Sequence, residues 1–138
     1  MAKLKTYLIL LPVLFVIDYI WLGLLMGPFY VEELGALARI GGDGFAPVVW
    51  AAVIVYLIIP LGIVVFVLPL VPERNQIMSA LGYGLLYGLV LYGVFDMTNY
   101  ALLDGYSLKL AVVDVCWGGF LNSIAALCAV KIYRYVSV

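Results

Sequence analysis

The sequence contains no histidine, only two cysteines, and charge on 11% of its 138 residues. Without histidine, His-ligated haem, His-based zinc or copper sites, and Ser–His or Cys–His catalysis are all excluded. The two cysteines, Cys116 and Cys128, stand on one apolar segment. Twelve residues of helix separate them by about 18 Å, beyond the reach of a disulfide, so both are expected as small core hydrophobes. The scarcity of charge is the most informative lack. A soluble domain carries about 25% charged residues and about 45–50% apolar ones, whereas this chain is 67% hydrophobic with a mean hydropathy of +1.21. So few charges cannot cover so much apolar surface in water, and the chain is expected to be an integral membrane protein. Its 7 basic and 8 acidic residues leave a net charge of −1. No basic run points to nucleic acid or to electrostatic anchoring on a membrane.

What is present is long apolar runs, at about 6–26, 47–71, 77–102 and 108–130, the last helix continuing to about 135. Each reaches the roughly 20 residues that cross a hydrocarbon core about 30 Å thick. The fold expected is an all-α bundle of four transmembrane helices, forming a single transmembrane domain over residues 1–138. The first run follows Lys3 and Lys5 in the manner of a signal peptide, but it is too long for one and lacks a small-x-small cleavage site, so it reads as a mature helix. Pro12 and Pro60 lie within spans, where proline is tolerated, usually with a kink. With the N-terminus inside, Lys3, Lys5, Arg74, Lys131 and Arg134 fall on the cytoplasmic side and only Arg39 and Lys109 outside. This positive-inside bias makes both termini cytoplasmic. Glu32, Glu33, Asp43 and Asp104 then lie in outer loops. In the first of these, residues 27–46, Gly27-Pro28 offers a helix start and Gly41-Gly42 a stop. Phe29, Tyr30, Leu34, Leu37 and Ile40 recur there at helical spacing, which predicts a short amphipathic helix on the outer face, either a cap on the bundle or a lid over a site.

Small residues repeat at four-residue spacing in the third span, at Ala80, Gly84 and Gly88, with Gly93 beyond them. Gly119, Ser123 and Ala126 form a similar face on the fourth. Such faces let helix backbones approach closely inside lipid, within the bundle or between copies of the chain. A faint repeat places Leu24, Leu25 and Gly27 after Asp18 at the offsets of Leu102, Leu103 and Gly105 after Asp96, as in a duplicated helical hairpin.

Three aspartates, Asp18, Asp96 and Asp114, stand inside the apolar spans, each costing about 2.5–3.5 kcal/mol at a helix centre on insertion scales. The topology places Asp18 about 12 Å, and Asp96 and Asp114 about 9 Å, below the outer ends of their helices. All three therefore share the outer half of the membrane and converge if they face the bundle interior. Trp21, Tyr92, Asn99, Trp117 and Asn122 continue the same faces and bring donors or flat rings to that site. The ligand-binding set expected is thus Asp18, Trp21, Tyr92, Asp96, Asn99, Asp114, Trp117 and Asn122. The rival reading is a polar network that only fixes helix register. At least one aspartate is expected to be protonated at neutral pH, with Asp96 as the ionised member and Asp18 as the protonated one.

Three segments carry a family resemblance: Asp18-Tyr19-Ile20-Trp21-Leu22-Gly23, Asp96-Met97-Thr98-Asn99-Tyr100-Ala101 and Val113-Asp114-Val115-Cys116-Trp117-Gly118. In that order they resemble the D-x-x-W-L-G, D-x-T-N-x-A and V-D-x-x-W-G motifs of the bacterial predicted membrane proteins grouped as domain of unknown function 2177. The resemblance spans nearly the whole chain. The sequence departs from the pattern at Phe95, where tyrosine is usual, and at Tyr106-Ser107, where Trp-Pro is usual. The resemblance implies a four-helix protein of the bacterial inner membrane and brings no particular activity with it.

Function is left among three classes. The first is binding or transport of a proton, cation or amphipathic ligand at the aspartates. The second is a membrane enzyme acting on a lipid or isoprenoid with an aspartate as general acid. The third is an accessory subunit of a larger membrane complex. Against the enzyme stand the lack of a DDxxD-type diphosphate motif, of a nucleophile–base pair and of any metal-ligand set beyond the carboxylates. Four helices enclose a transport path poorly, so transport would call for a homodimer. Neither a cofactor nor a bound metal is expected, and the expected partner is the lipid bilayer.

Overall fold

The computed structural model describes residues 1–42 and 44–137; Asp43, assigned above to an outer loop, lies outside the described residues. Among these residues, four helices are long and apolar enough to cross a membrane: Ala2–Leu25, Val49–Leu70, Gln76–Leu102 and Leu108–Val136. Helix α1 spans Ala2–Tyr19 and continues through a π-helical turn at Ile20–Leu25. A short helix α2 covers Gly27–Leu34. A two-residue hairpin, Ile40–Gly41 against Gly44–Phe45, follows before α3 at Val49–Gly62, which extends through Ile63–Val67 and Leu68–Leu70. Helices α4, Gln76–Leu102, and α5, Leu108–Val136, complete the bundle.

Apolar composition drives all four spans into helix, because inside lipid each backbone polar group needs a partner within its own segment. Large side chains such as Leu24, Phe66 and Val94 are exposed, as they would be on the surface of a membrane protein. The interior is narrower: Leu10 and Leu14 of α1, Ile63 after α3, and Leu121, Ala125 and Ala129 of α5 are fully buried. The α1 helix runs through Pro12 without interruption. Pro60 has no amide to bond the Tyr56 carbonyl one turn before it, and in the same turn the Leu57 carbonyl accepts a hydrogen bond from the Tyr7 hydroxyl of α1 at 3.2 Å, tying the two helices together.

The most extensive pairing joins α4 to α5, and glycine makes it. A Cβ on Gly84 would fall 2.4 Å from the Asn122 carbonyl oxygen, and one on Gly88 2.1 Å from that of Gly118. The two backbones are in contact, and the Ser123 hydroxyl donates across the seam to the Leu81 carbonyl at 2.9 Å. Gly93 has open space beside it and lies off this face.

Two expectations need correction. The outer amphipathic helix ends at Leu34 instead of reaching Gly41, because Gly35 takes φ +49°, a left-handed value that stops the helix. Cys116 is exposed and not in the core; it lies two residues from Asp114, and about 200° of helix turns it away from the interior. Cys128 is half-buried.

Candidate functional site

Asp18 lies in the last turn of the regular part of α1, and both of its oxygens are engaged. Oδ2 accepts from the Tyr56 hydroxyl of α3 at 2.6 Å, and Oδ1 from Trp117 Nε1 of α5 at 2.8 Å. One carboxyl group thereby ties three helices together. The π-helical turn that follows closes with Met26 N donating to Trp21 O at 2.7 Å. Such a turn inserts an extra residue and re-aims the side chains beside it. Here it lays Trp21 on Trp117, the rings 4.3 Å apart and 3° from parallel.

From this stack the network continues outward. Trp21 Nε1 donates to the Tyr30 hydroxyl of α2 at 3.1 Å, and that hydroxyl donates to Asp114 Oδ1 at 2.5 Å. Asp114 is half-buried one turn above Gly118 on α5. On α4, fully buried Asp96 accepts from the Tyr106 hydroxyl at 2.7 Å through Oδ1. The Asp96 and Asp114 carboxyl groups are neighbours, and buried Asp96 Oδ2 has no hydrogen-bond donor among the described residues. Tyr92 sits within electrostatic range of all three aspartates. Its ring occupies the space that the missing side chain of Gly118 leaves, where a Cβ would be 2.1 Å from Tyr92 Cγ.

Six of the eight expected residues therefore gather in one place: Asp18, Trp21, Tyr92, Asp96, Asp114 and Trp117. Two do not join the carboxyl groups. Asn122 is fully buried, but its amide donates to its own helix at the Gly118 carbonyl, 2.8 Å away, and its Oδ1 is unpartnered. Eight residues below Asp114 put it about 12 Å deeper along the helix. Asn99 is half-buried beside the Tyr106 hydroxyl, and Tyr106 holds Asp96 in its stead.

Three tyrosines essential to the network, Tyr30, Tyr56 and Tyr106, were not among the expected residues. Tyr56 carried a usable signal as a hydroxyl within an otherwise apolar span, where it needs a partner. Tyr106 and Ser107 are the pair that departs from the motif pattern, and both are engaged here: Tyr106 at Asp96, Ser107 at Glu33 and at the Leu110 amide that begins α5. Phe95, the other departure, is exposed, so a hydroxyl there would point away from the site. Burial and the adjoining Asp114 push the Tyr30 phenol above its ordinary value, and burial and Asp96 do the same for Tyr106. Both therefore remain hydroxyl donors throughout the working pH range.

Helix α2 is clamped over this arrangement. Glu33 accepts from Lys109 Nζ at 2.7 Å and from the Ser107 hydroxyl, and Lys109 also lies 5.0 Å from the Phe29 ring centroid. Hydrogen bonding from Lys109, then from Ser107, holds the Glu33 carboxyl below its ordinary value of 4.5. A carboxyl group depressed in the folded state contributes fully above its unfolded value, and the contribution fades as pH falls through the folded one. Amide exchange in residues 27–34, corrected for its intrinsic pH dependence, is expected to stay slow down to pH 4.5 and to quicken only below it. Lys109→Met should show the quickened exchange at neutral pH. Protection that is indifferent to both changes would mean that the clamp does not hold α2.

Residues 3–131 match the family described as predicted membrane protein (DUF2177). The chain belongs to this family. DUF2177 membership agrees with the four spans and covers all three aspartates, which fall within the matched residues. No curated protein and no solved structure matches the chain.

Proposed function

We propose that this protein is a proton-binding module of the bacterial inner membrane, multi-pass with both termini cytoplasmic, and that the Asp96–Asp114 pair is its proton site. The observation that carries the reading is the bare Oδ2 of buried Asp96 beside a second carboxyl group. A proton shared between the two would supply the missing donor and remove the repulsion between like charges. Asp18 has a donor aimed at each oxygen, an arrangement that suits an ionised carboxylate. These roles reverse the ones expected from helical neighbours.

Charge balance supports the same reading. Among the described residues the ion pair is Lys109–Glu33, at the outer clamp, and every donor recorded on the three aspartates is a neutral hydroxyl or indole N–H. No group of residues with the make-up of a metal site occurs among the described residues. Tyr106, which holds Asp96, is followed by Ser107, which bonds Glu33 of the α2 clamp. Below the pair, the glycine seam of α4 and α5 closes backbone to backbone.

A second reading has one specific observation behind it. An apolar groove of about 340 Å³ between α1 and α5 is walled by Trp21, Trp117 and Phe120, directly behind the indole that holds Asp18. An amphipathic ligand could lie there with its polar end toward the network. The proton reading is tested by back-titrating purified protein between about pH 5 and about pH 9. Wild type should bind one more proton over that range than Asp114→Asn. Equal counts would remove the proton site.

A further inference from the structure

At the opposite end of the bundle the four spans leave a cavity of about 670 Å³, well away from the aspartates. Its walls come from the ends of all four: Lys3 of α1, Leu68 after α3, Gln76 at the start of α4, and Val130, Tyr133 and Arg134 of α5. Leu68 and Val130 make the deeper wall apolar. Lys3 and Arg134 stand at the rim, and Arg134 Nη1 donates to Gln76 Oε1 at 3.0 Å. That bond holds the guanidinium at the cavity while leaving its other N–H groups free to bind. The surrounding surface is basic: among the described residues Lys3, Lys5, Arg74, Lys131 and Arg134 stand against the side-chain carboxylate of Glu73, which also lines the cavity.

We infer that this cavity binds the phosphate headgroup of an anionic phospholipid, with Lys3 and Arg134 on the phosphate and the acyl chains leaving along the Leu68–Val130 wall. Position argues for lipid over a soluble anion. The cavity lies at the ends of the four spans, which in a bilayer face the headgroups, and it joins a cationic rim to an apolar wall. Basic pockets between helices on the positively charged side of a membrane protein suit anionic headgroups. Guanidinium groups match phosphate oxygens in paired hydrogen bonds. An inorganic phosphate would use the rim alone, whereas a phospholipid uses both surfaces. The inference is independent of the proton site.

The test is thermal unfolding of the full chain in a neutral detergent, with added phosphatidylglycerol, phosphatidylcholine or inorganic phosphate. Phosphatidylglycerol should raise the midpoint, because a ligand that binds only the folded state stabilises it; the other two should not. The double variant Lys3→Ala/Arg134→Ala should lose the shift. Lys5→Ala/Lys131→Ala, which removes equal charge from the same surface but outside the cavity, should keep it. If loss of the Gln76 contact unfolds the first variant, Lys3→Glu alone should abolish the shift. Equal loss in both double variants would mean a diffuse basic surface and overturn the site. Equal stabilisation by inorganic phosphate would overturn the lipid assignment, and a shift retained in Lys3→Glu would overturn the role of the rim.

Discussion

Gly88→Ala is expected to destabilise the protein by about 3 kcal/mol or more, an effect at the upper end of over-packing changes. The added methyl would sit 2.1 Å from the Gly118 carbonyl oxygen and 2.9 Å from Gly119 Cα. Both obstacles are backbone, so no side-chain rotation relieves the clash, and α4 must move off α5. That movement also carries Asp96 away from Asp114. Gly93→Ala is the matched control. It lies on the same helix with open space around it, and alanine is a better helix former than glycine by about 1 kcal/mol. Unfolding in detergent–denaturant mixtures should therefore rank Gly88→Ala far below wild type and Gly93→Ala at or above it. Similar losses in the two variants would mean that the seam is not where the bundle is held.

Asp18→Ala should be the most damaging of the single aspartate truncations. It strands the Tyr56 hydroxyl and the Trp117 indole at once. Each buried donor left alone costs about 1–3 kcal/mol, although polar contacts in membrane proteins average nearer 0.6 kcal/mol because the unfolded reference state finds partners too. A loss of about 2–4 kcal/mol is expected. Tyr56→Phe removes one donor and keeps the other, and should cost about 1 kcal/mol. The double variant Asp18→Ala/Tyr56→Phe should then be no worse than Asp18→Ala alone, since the stranded hydroxyl is gone. Strict additivity would show that the two side chains do not act on each other.

Hydropathy alone delivers the four spans, because twenty-residue apolar runs have one stable form in lipid. The shared depth of Asp18, Asp96 and Asp114 follows from rise per residue and loop order; Asp96 and Asp114 are neighbours, and Asp18 connects to Asp114 through Trp117, Trp21 and Tyr30. The partners that join them were less legible. Nothing in the spacing links Tyr56 to Asp18, thirty-eight residues away, and tyrosine near a membrane surface is common enough to say little. Tyr30 lay within an apolar stripe and read as part of it. The π-helical turn after Asp18, which lays Trp21 against Trp117, has no counterpart in the regular end of α4 after Asp96, so the weak repeat could not foretell it. Helical phase alone points Asn122 and Asn99 toward the aspartates. Phase ignores depth, and it ignores the competing acceptors that each amide finds nearby.

If Asp96 and Asp114 share a proton, carboxyl infrared spectroscopy at neutral pH reads it out. Wild type should show one protonated-carboxyl band. It should vanish in both Asp96→Asn and Asp114→Asn, because each leaves a lone carboxyl group with its own hydroxyl donor and an amide N–H where the shared proton was, and it should persist in Asp18→Asn. A wild-type spectrum without that band, or a band lost only in Asp18→Asn, would contradict the account.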